Sequence, residues 1–238
     1  RLVGSEMCIR DRYKNTKSTS MERKKMAEEK KERLSRQEKK EQQLEAIRKL
    51  IEEKGGVAKT SELYTLGLDY RVLQRFVEEG TLERIKSGYY SLGYRKKSEE
   101  EIIPVLFPDG VLCMESGLYY QGYLKERPYI WSIAVDKNTS KSRFKMDYPI
   151  VHPYYTETKV LEMGVETFDM NGQKIKIYEK ERLICDCLKY EDRLDADSLK
   201  KGLLAFIKDE EKDIAKLMMY ARERRVVEKV RNRIGVWL

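Results

Sequence analysis

The pattern of apolar and polar positions changes within the N-terminal third of the chain. Residues 21–40 are almost entirely charged or polar, and they offer no apolar stripe for a helix to bury. This predicts a solvated helix or a disordered segment. From about residue 41, apolar residues recur at helical spacing as far as Gly55 and Gly56, which predicts a first packed helix. These apolar residues are Leu44, Ile47, Leu50 and Ile51.

Two short helices are predicted next. Thr60 or Ser61 is expected to cap the first of them, which continues through Leu66. Asp69 is expected to cap the other, which continues to Glu79 and ends at a glycine. At 100° per residue the last of these helices has an apolar side and a polar side. The apolar side consists of Val72, Leu73, Phe76 and Val77, and the polar side of Arg71, Gln74, Arg75 and Glu78.

A β-hairpin is predicted directly after these helices. The segments "TLERI" and "YYSL" alternate in polarity around Lys86-Ser87-Gly88, and a glycine supplies the positive φ that a tight turn needs. Three helices followed by a hairpin is the order of a winged helix-turn-helix. We assign this domain to residues 41–97. The polar string "YRKKSEEE" at its end is interpreted as a linker to the rest of the chain.

Residues 98–238 form a second predicted domain, a mixed sheet followed by helices. All five prolines lie between Pro104 and Pro153, which argues against long helices there. Period-two segments predict strands in "GVLCM", "WSIAV", "YPIVH", "VETFDM" and "KIKIY", with a short helix near "SGLYYQGYL". From about residue 179 the period is helical. The predicted fold class is α+β: an N-terminal winged helix-turn-helix, then a mixed-sheet domain that ends in a helical bundle.

The net charge of +8 lies in the N-terminal part. Residues 13–97 contain 22 Lys and Arg against 14 Asp and Glu, whereas residues 98–238 contain 24 against 25. A basic part joined to a neutral one is typical of a protein that binds nucleic acid, and a lysine-rich solvated helix would give the same charge distribution. No apolar run reaches the roughly 18 residues that a membrane span requires. The start lacks the apolar stretch of a signal peptide, so we expect no membrane association and a cytoplasmic protein.

The first twelve residues, "RLVGSEMCIRDR", resemble a translated sequencing-adaptor fragment and are set apart from the fold. Together with the charged segment they make residues 1–40 an N-terminal extension. The four cysteines have no disulfide-framework spacing, which favours a reducing compartment. Cys185 and Cys187 are interpreted as buried thiols, because no second Cys/His pair completes a zinc site. His152 is the single histidine. We expect no catalytic residues, metal or cofactor.

The third helix is the candidate DNA-recognition element. Arg and Gln form paired hydrogen bonds with guanine and adenine edges in the major groove, and Arg71, Gln74 and Arg75 are the candidates, with Tyr70 near the start of the helix. Side chains on the second helix and the wing are candidates for phosphate contacts. These are Lys59, Ser61, Arg84 and Lys86. The alternative is a protein-interaction adaptor with a solvated polar face, which the acidic residues Glu78, Glu79 and Glu83 favour locally.

Two further clusters have competing interpretations. A second basic surface is a candidate in "KNTSKSRF" and near the C-terminus, although a solvated loop explains the first string equally well. Its residues are Lys137, Lys141, Arg143, Lys145, Arg222 and Arg225. Asp109, followed much later by Glu157 and Lys159, is an order found in Mg²⁺-dependent nucleases. The separation is long and "FPDGV" is typical of a turn, so we prefer coincidence.

The segment "GGVAKTSELYTLGLDYRVLQRFVEEGTLERIKSGYYSL" resembles the N-terminal domain of AbiEi-family antitoxins. Its wing carries the pattern Gly80, Leu82, Arg84, Gly88 and Tyr90. Later strings, including "FPDGVLCMESGLYYQGYL" and "YEKERLICDCLKY", are similar to the C-terminal part of that family, so the resemblance covers about residues 44–238.

This resemblance implies a repressor that binds inverted repeats in double-stranded DNA upstream of its own operon. It further implies a type IV antitoxin that counters a nucleotidyltransferase-like toxin without forming a stable complex with it.

Overall fold

The computed structural model describes Met26 and residues 35–93, 98–146, 148–170 and 172–237. The predictions for the adaptor-like residues 1–12 and for most of residues 13–34 lie outside the described residues. Helix α1 covers residues 35–53. The helix therefore begins before residue 41, the position at which the apolar helical spacing of the sequence begins. Residues 35–39 of this helix are exposed, whereas Ile47 and Ile51 are fully buried, so its apolar stripe begins where the sequence predicted.

The helix-turn-helix consists of α2 (Thr60–Tyr64) and α3 (Tyr70–Glu78). The Asp69 carboxylate accepts the Val72 N–H at 2.8 Å and caps α3 as predicted. The N-cap residue of α2 is Lys59, and not Thr60 or Ser61 as predicted. Its N–H donates to the Glu62 carboxylate at 2.8 Å, so the acidic residue of the first turn satisfies the free donor.

The wing is a hairpin of β2 (Leu82–Lys86) and β3 (Tyr89–Leu92), and Gly88 in its turn has φ +85°. A two-residue strand, β1 (Ala58–Lys59), was not predicted. It pairs antiparallel with β3 through Ala58 and Tyr90, which gives the sheet order β1-β3-β2. One apolar core holds the three helices and this sheet together, with Ile47, Leu63, Leu73, Phe76 and Leu82 among its members.

The C-terminal part contains a five-stranded mixed sheet with the order β6-β5-β4-β8-β7. The β4–β8 and β5–β6 pairs are parallel, and the other two are antiparallel. The strands are β4 (Val111–Leu112), β5 (Trp131–Asp136), β6 (Val151–Thr156), β7 (Val165–Met170) and β8 (Gln173–Tyr178). The helices before and between them are α4 (Glu99–Leu106), α5 (Met114–Tyr120) and α6 (Thr158–Leu161).

Four helices follow the sheet, as the helical period predicted. They are α7 (Lys180–Lys189), α8 (Ala196–Lys208), α9 (Ile214–Arg224) and α10 (Val227–Arg233). Alternate residues along the strands belong to two apolar clusters: Ala134 and Tyr178 to one, Ile133 and Ile177 to the other. The helices after the sheet pack in the first cluster. Helix α4 and part of the winged helix-turn-helix pack in the second, so the sheet separates the bundle from the winged helix-turn-helix.

Two elements depart from the sequence prediction. Helix α4 contains Pro104 and was not predicted. A capping box marks its start, because the Ser98 N–H donates to the Glu101 carboxylate at 3.0 Å. Strand β6 begins three residues later than the predicted segment and includes Pro153. A proline is tolerated there because β6 is at the edge of the sheet.

Helix α7 is buried around its whole circumference from Glu181 to Leu188, although the sequence predicted a single apolar stripe. Arg182 and Arg224 both donate to the Asp186 carboxylate, which pairs the buried charges across α7 and α9. Cys185 and Cys187 are buried free thiols, as predicted. Burial raises the pKa of the Cys185 thiol to about 12, so it stays protonated at neutral pH.

Within the residues that the structure describes, no helix is long and apolar enough to cross a membrane.

Candidate nucleic-acid interface

Helix α3 has a buried side and an exposed polar side, as its sequence pattern predicted. Leu73 and Phe76 are fully buried in the core of the winged helix-turn-helix. Arg71 and Arg75 are exposed and Gln74 is half-buried. The buried side fixes the orientation of the helix, and the exposed Arg75 guanidinium lies 5.5 Å from the centre of the Phe76 ring. An α-helix with such a face has the dimensions and donors to enter the major groove.

Tyr70 and Gln74 form a hydrogen-bonded pair on this helix. The Gln74 Nε2 donates to the Tyr70 hydroxyl oxygen at 2.7 Å. Tyr70 is the first residue of α3, and its side chain is 54% exposed. The two residues are four apart, which places them on the same helical face. The sequence named both as candidates and did not predict the bond, although the i,i+4 spacing contains the signal for it.

The other predicted residues around the helix-turn-helix lie on its surface. Lys59 and Ser61 are exposed at the start of α2, and Arg84 is exposed on β2. The Arg84 guanidinium donates to the Ser87 hydroxyl at 3.2 Å, which draws it toward the hairpin turn.

Two acidic residues of the helix-turn-helix and its flanks are paired with lysines. Lys40 of α1 lies 2.8 Å from the Glu79 carboxylate, and Lys54 lies 3.3 Å from the Glu62 carboxylate. Burial raises the pKa of Glu62, but the Lys59 N–H and the Lys54 ammonium outweigh burial, so the pKa lies below its ordinary value. Of the three acidic residues that favoured the protein-interaction adaptor, Glu79 is thus paired with a lysine. Glu78 and Glu83 remain exposed.

An open groove of about 800 Å³ separates α1 from α3. Val72, Arg75 and Glu79 line one wall, and basic residues of α1 that include Lys39 and Lys40 line the other. Helix α1 is not among the predicted DNA-binding elements, and acidic and basic residues alternate along it.

Lys86 of the wing contacts the C-terminal part of the protein. Its amine donates to the Arg143 backbone carbonyl and lies 5.7 Å from the Tyr89 ring centre and 5.8 Å from that of Phe107. Burial and the neighbouring Arg143 guanidinium lower the pKa of Lys86. Lys86 is thus held between the wing and the C-terminal part of the chain. Its predicted phosphate contact remains a prediction, and this conformation does not favour it.

Arg143 completes this contact from the other side. Its guanidinium donates to both Asp109 carboxylate oxygens, at 2.7 and 2.5 Å, and to the Leu106 carbonyl at 2.9 Å. It also lies over the Phe107 ring at 5.1 Å. The Arg143 hydrogen bonds hold the pKa of Asp109 below its ordinary value, against the opposing effect of burial. The arginine predicted for a second basic surface is therefore held by Asp109 and Leu106, and its backbone carbonyl accepts from Lys86 of the wing.

The other members of that predicted surface are dispersed. Lys141 and Lys145 are exposed beside Arg143, and the Lys137 amine lies 3.3 Å from the Glu157 carboxylate. Arg222 and Arg225 are exposed at the end of α9. Helix α9 packs on the opposite side of the sheet from Phe144, which adjoins the lysine string. The structure does not bring the two groups of basic residues together.

The carboxylates of the nuclease alternative each face a cation. Asp109 is held by Arg143, and Glu157 by Lys137. In the described ranges, no group of three or more His, Cys, Asp or Glu side chains has an arrangement that could hold a metal ion. His152 is exposed on β6 and stacks on Tyr154 with ring centres 5.1 Å apart. These contacts give no support to a hydrolytic site.

The fold and the exposed face of α3 define a winged helix-turn-helix protein. Residues 45–93 match the family model described as "Transcriptional regulator, AbiEi antitoxin". This match confirms the resemblance to AbiEi-family antitoxins over about a fifth of the chain, in the segment that contains α2, α3 and the wing. The resemblance of the C-terminal strings lies outside the matched residues and remains a prediction. No curated protein matches the chain.

Proposed function

We propose that this protein is a sequence-specific DNA-binding repressor that regulates its own operon and acts as the antitoxin of a type IV toxin–antitoxin system. The observation that carries the proposal is the exposed polar face of α3, with Arg71 and Arg75 in solvent and Gln74 beside them. The match of this segment to a transcriptional-regulator antitoxin supports it. The partners we propose are inverted DNA repeats and a nucleotidyltransferase-like toxin that forms no stable complex with the protein.

The residues proposed to bind DNA lie on the helix-turn-helix and the wing, and all of them except Gln74 and Lys86 are exposed. Arg71, Gln74 and Arg75 contact base edges, and Tyr70 lies at the entry of the helix into the groove. Phosphate contacts come from Lys59, Ser61 and Arg84, with Lys86 a weaker candidate because the domain contact occupies its amine. A repressor and its operon share one compartment, so we propose a cytoplasmic location.

Repression is tested with a reporter gene placed behind the DNA that lies upstream of this gene. The wild-type chain is expected to lower reporter expression, and Arg71→Ala is expected to restore most of it. Arg231→Ala is the matched control, because it removes an exposed arginine from α10, on the other side of the sheet. Equal repression by all three proteins would contradict the proposed role of α3.

The antitoxin role is tested separately by co-expression with the product of the neighbouring gene. If that gene encodes a nucleotidyltransferase-like toxin, the chain is expected to restore growth, without the two proteins co-purifying. Growth arrest that the chain fails to relieve would contradict the antitoxin role and leave the repressor role standing.

A further inference from the structure

We propose that Tyr70 is a specificity-determining positioning residue, whose hydroxyl holds the Gln74 amide in the orientation that recognises adenine in an operator A·T pair. The inference rests on the proposed function and deepens it, because it assigns a base class to one position of the interface. The observation behind it is the 2.7 Å hydrogen bond from the Gln74 Nε2 to the Tyr70 hydroxyl oxygen.

The hydrogen bond determines whether the nitrogen or the oxygen of the Gln74 amide faces the Tyr70 hydroxyl. A glutamine side chain has two N–H donors on Nε2 and one carbonyl acceptor, and the two ends exchange places when the amide rotates by half a turn. The tyrosine oxygen receives one N–H and thereby fixes the nitrogen on its own side. One N–H and the carbonyl oxygen of Gln74 then remain available to a ligand.

This remaining donor and acceptor match the major-groove edge of adenine. Adenine presents the N7 acceptor and the N6 amino donor, so it receives the second Gln74 N–H and donates to the Gln74 carbonyl oxygen. Guanine presents two acceptors at N7 and O6. Opposite guanine, the fixed amide would donate its N–H to one of these acceptors. Its carbonyl oxygen would then face the other acceptor and repel it. The pair therefore favours adenine over guanine at the position that Gln74 contacts.

The position of Tyr70 suits this role. It is the first residue of α3 and 54% exposed, so its ring is at the edge of the recognition face. Because its oxygen accepts from Gln74, its own hydrogen is free to donate to a phosphate oxygen. A phosphate contact would tie the ring in place, and the ring would in turn hold the amide.

The test uses the full chain and a pool of DNA duplexes with randomised sequence, followed by competition among four duplexes that differ at one base pair. The wild-type chain is expected to select a sequence with adenine at one position, and Gln74→Ala to lose that preference by about tenfold or more while keeping the other positions. Tyr70→Phe is expected to lower the adenine-over-guanine preference there by about three- to tenfold, the contribution of one hydrogen bond.

Tyr64→Phe is the matched control. Tyr64 is exposed on α2, so this variant removes a hydroxyl from the same motif and leaves the Gln74 bond in place. It is expected to behave like the wild type. Full adenine preference in Tyr70→Phe, or a base other than adenine at the Gln74 position, would overturn the inference alone. If the wild-type chain selects no sequence from the pool, the proposed function fails together with the inference.

Discussion

The side chains on α3 have two roles, packing on the core and presenting charge at the surface. Leu73 and Phe76 hold the helix on the core, while Arg71 and Arg75 project into solvent. Sequence periodicity was sufficient to assign these sides, because a nine-residue helix with one apolar stripe has one way to pack. Periodicity could not predict that Lys40 would reach Glu79 or that Lys86 would reach the Arg143 carbonyl. Both contacts join residues distant in sequence, and they depend on how whole elements pack.

Arg71→Ala is expected to relax base preference at the position that this arginine contacts. A paired hydrogen bond to guanine contributes about 1–3 kcal/mol of discrimination against the wrong base. The expected result is a loss of specificity for the bound sequence with little change in non-specific binding, measured by fluorescence anisotropy with specific and unrelated duplexes. Unchanged discrimination would remove Arg71 from base recognition.

The short helices depend on tertiary packing, because α2 and α3 have only five and nine residues. Isolated helices of this length are marginal in water. The Asp69 cap located the start of α3 and Gly88 located the hairpin, whereas the cap of α2 is Lys59 and not the predicted Thr60 or Ser61. The two-residue strand β1 was missed, since its pairing partner β3 lies about thirty residues away and two residues carry no visible period.

Leu73→Ala is expected to destabilise the fold by about 2–5 kcal/mol, because it leaves a cavity under a fully buried position. Urea unfolding followed by circular dichroism measures this change. Val77→Ala is the matched control on the same helix, since Val77 is partly exposed and its truncation removes fewer buried atoms. If Leu73→Ala lowers the free energy of unfolding no more than the control does, Leu73 does not anchor α3 on the core.

The end of α8 is held by a pH-sensitive carboxylate. Asp209 accepts from the Lys180 amine at 2.8 Å and from the Tyr123 hydroxyl at 2.6 Å. The Lys180 bond, followed by that of Tyr123, lowers the pKa of Asp209 from 3.8 to about 2. Because the folded-state pKa is the lower one, the contribution of Asp209 to stability is complete above the unfolded-state value and disappears as the pH falls through about 2.

Asp209→Asn is therefore expected to be less stable than the wild type at pH 6, and the difference is expected to shrink as the pH falls from about 4 to about 2. Thermal unfolding across this range measures it. Asp197→Asn, which removes an exposed carboxylate from the same helix, is the control for the loss of one charge. A stability difference between the wild type and Asp209→Asn that stays constant with pH would contradict the assignment.

Across the whole molecule, the wing connects the winged helix-turn-helix to the sheet domain. Ile85 and Tyr89 of the wing pack on the cluster that contains Phe107, and Lys86 lies above the same ring. The orientation of the helix-turn-helix is therefore fixed relative to the sheet in this conformation. The sequence predicted the winged helix-turn-helix, the mixed sheet and the helices that follow it, and it missed β1 and α4. The sequence did not indicate this contact, because Ile85, Lys86 and Tyr89 are distant in sequence from Phe107 and the contact depends on how the two parts pack.

Arg143→Ala is expected to loosen this contact, since it removes the guanidinium that joins Asp109 and Leu106 beside the Phe107 ring. Hydrogen–deuterium exchange is expected to become faster in residues 82–92 and to change little in α7. Lys145→Ala is the control, as it removes an exposed neighbouring charge. Equal exchange in the two variants would show that Arg143 does not hold the wing.

The most direct measurement of the central claim is a gel-shift titration of the full chain on the DNA upstream of its gene, with unrelated DNA as competitor. We expect a specific complex for the wild type and for Arg231→Ala. The Arg71→Ala and Gln74→Ala double variant is expected to lose operator preference while its fold stays intact by circular dichroism. A double variant that binds the operator as selectively as the wild type would contradict the claim that α3 recognises DNA.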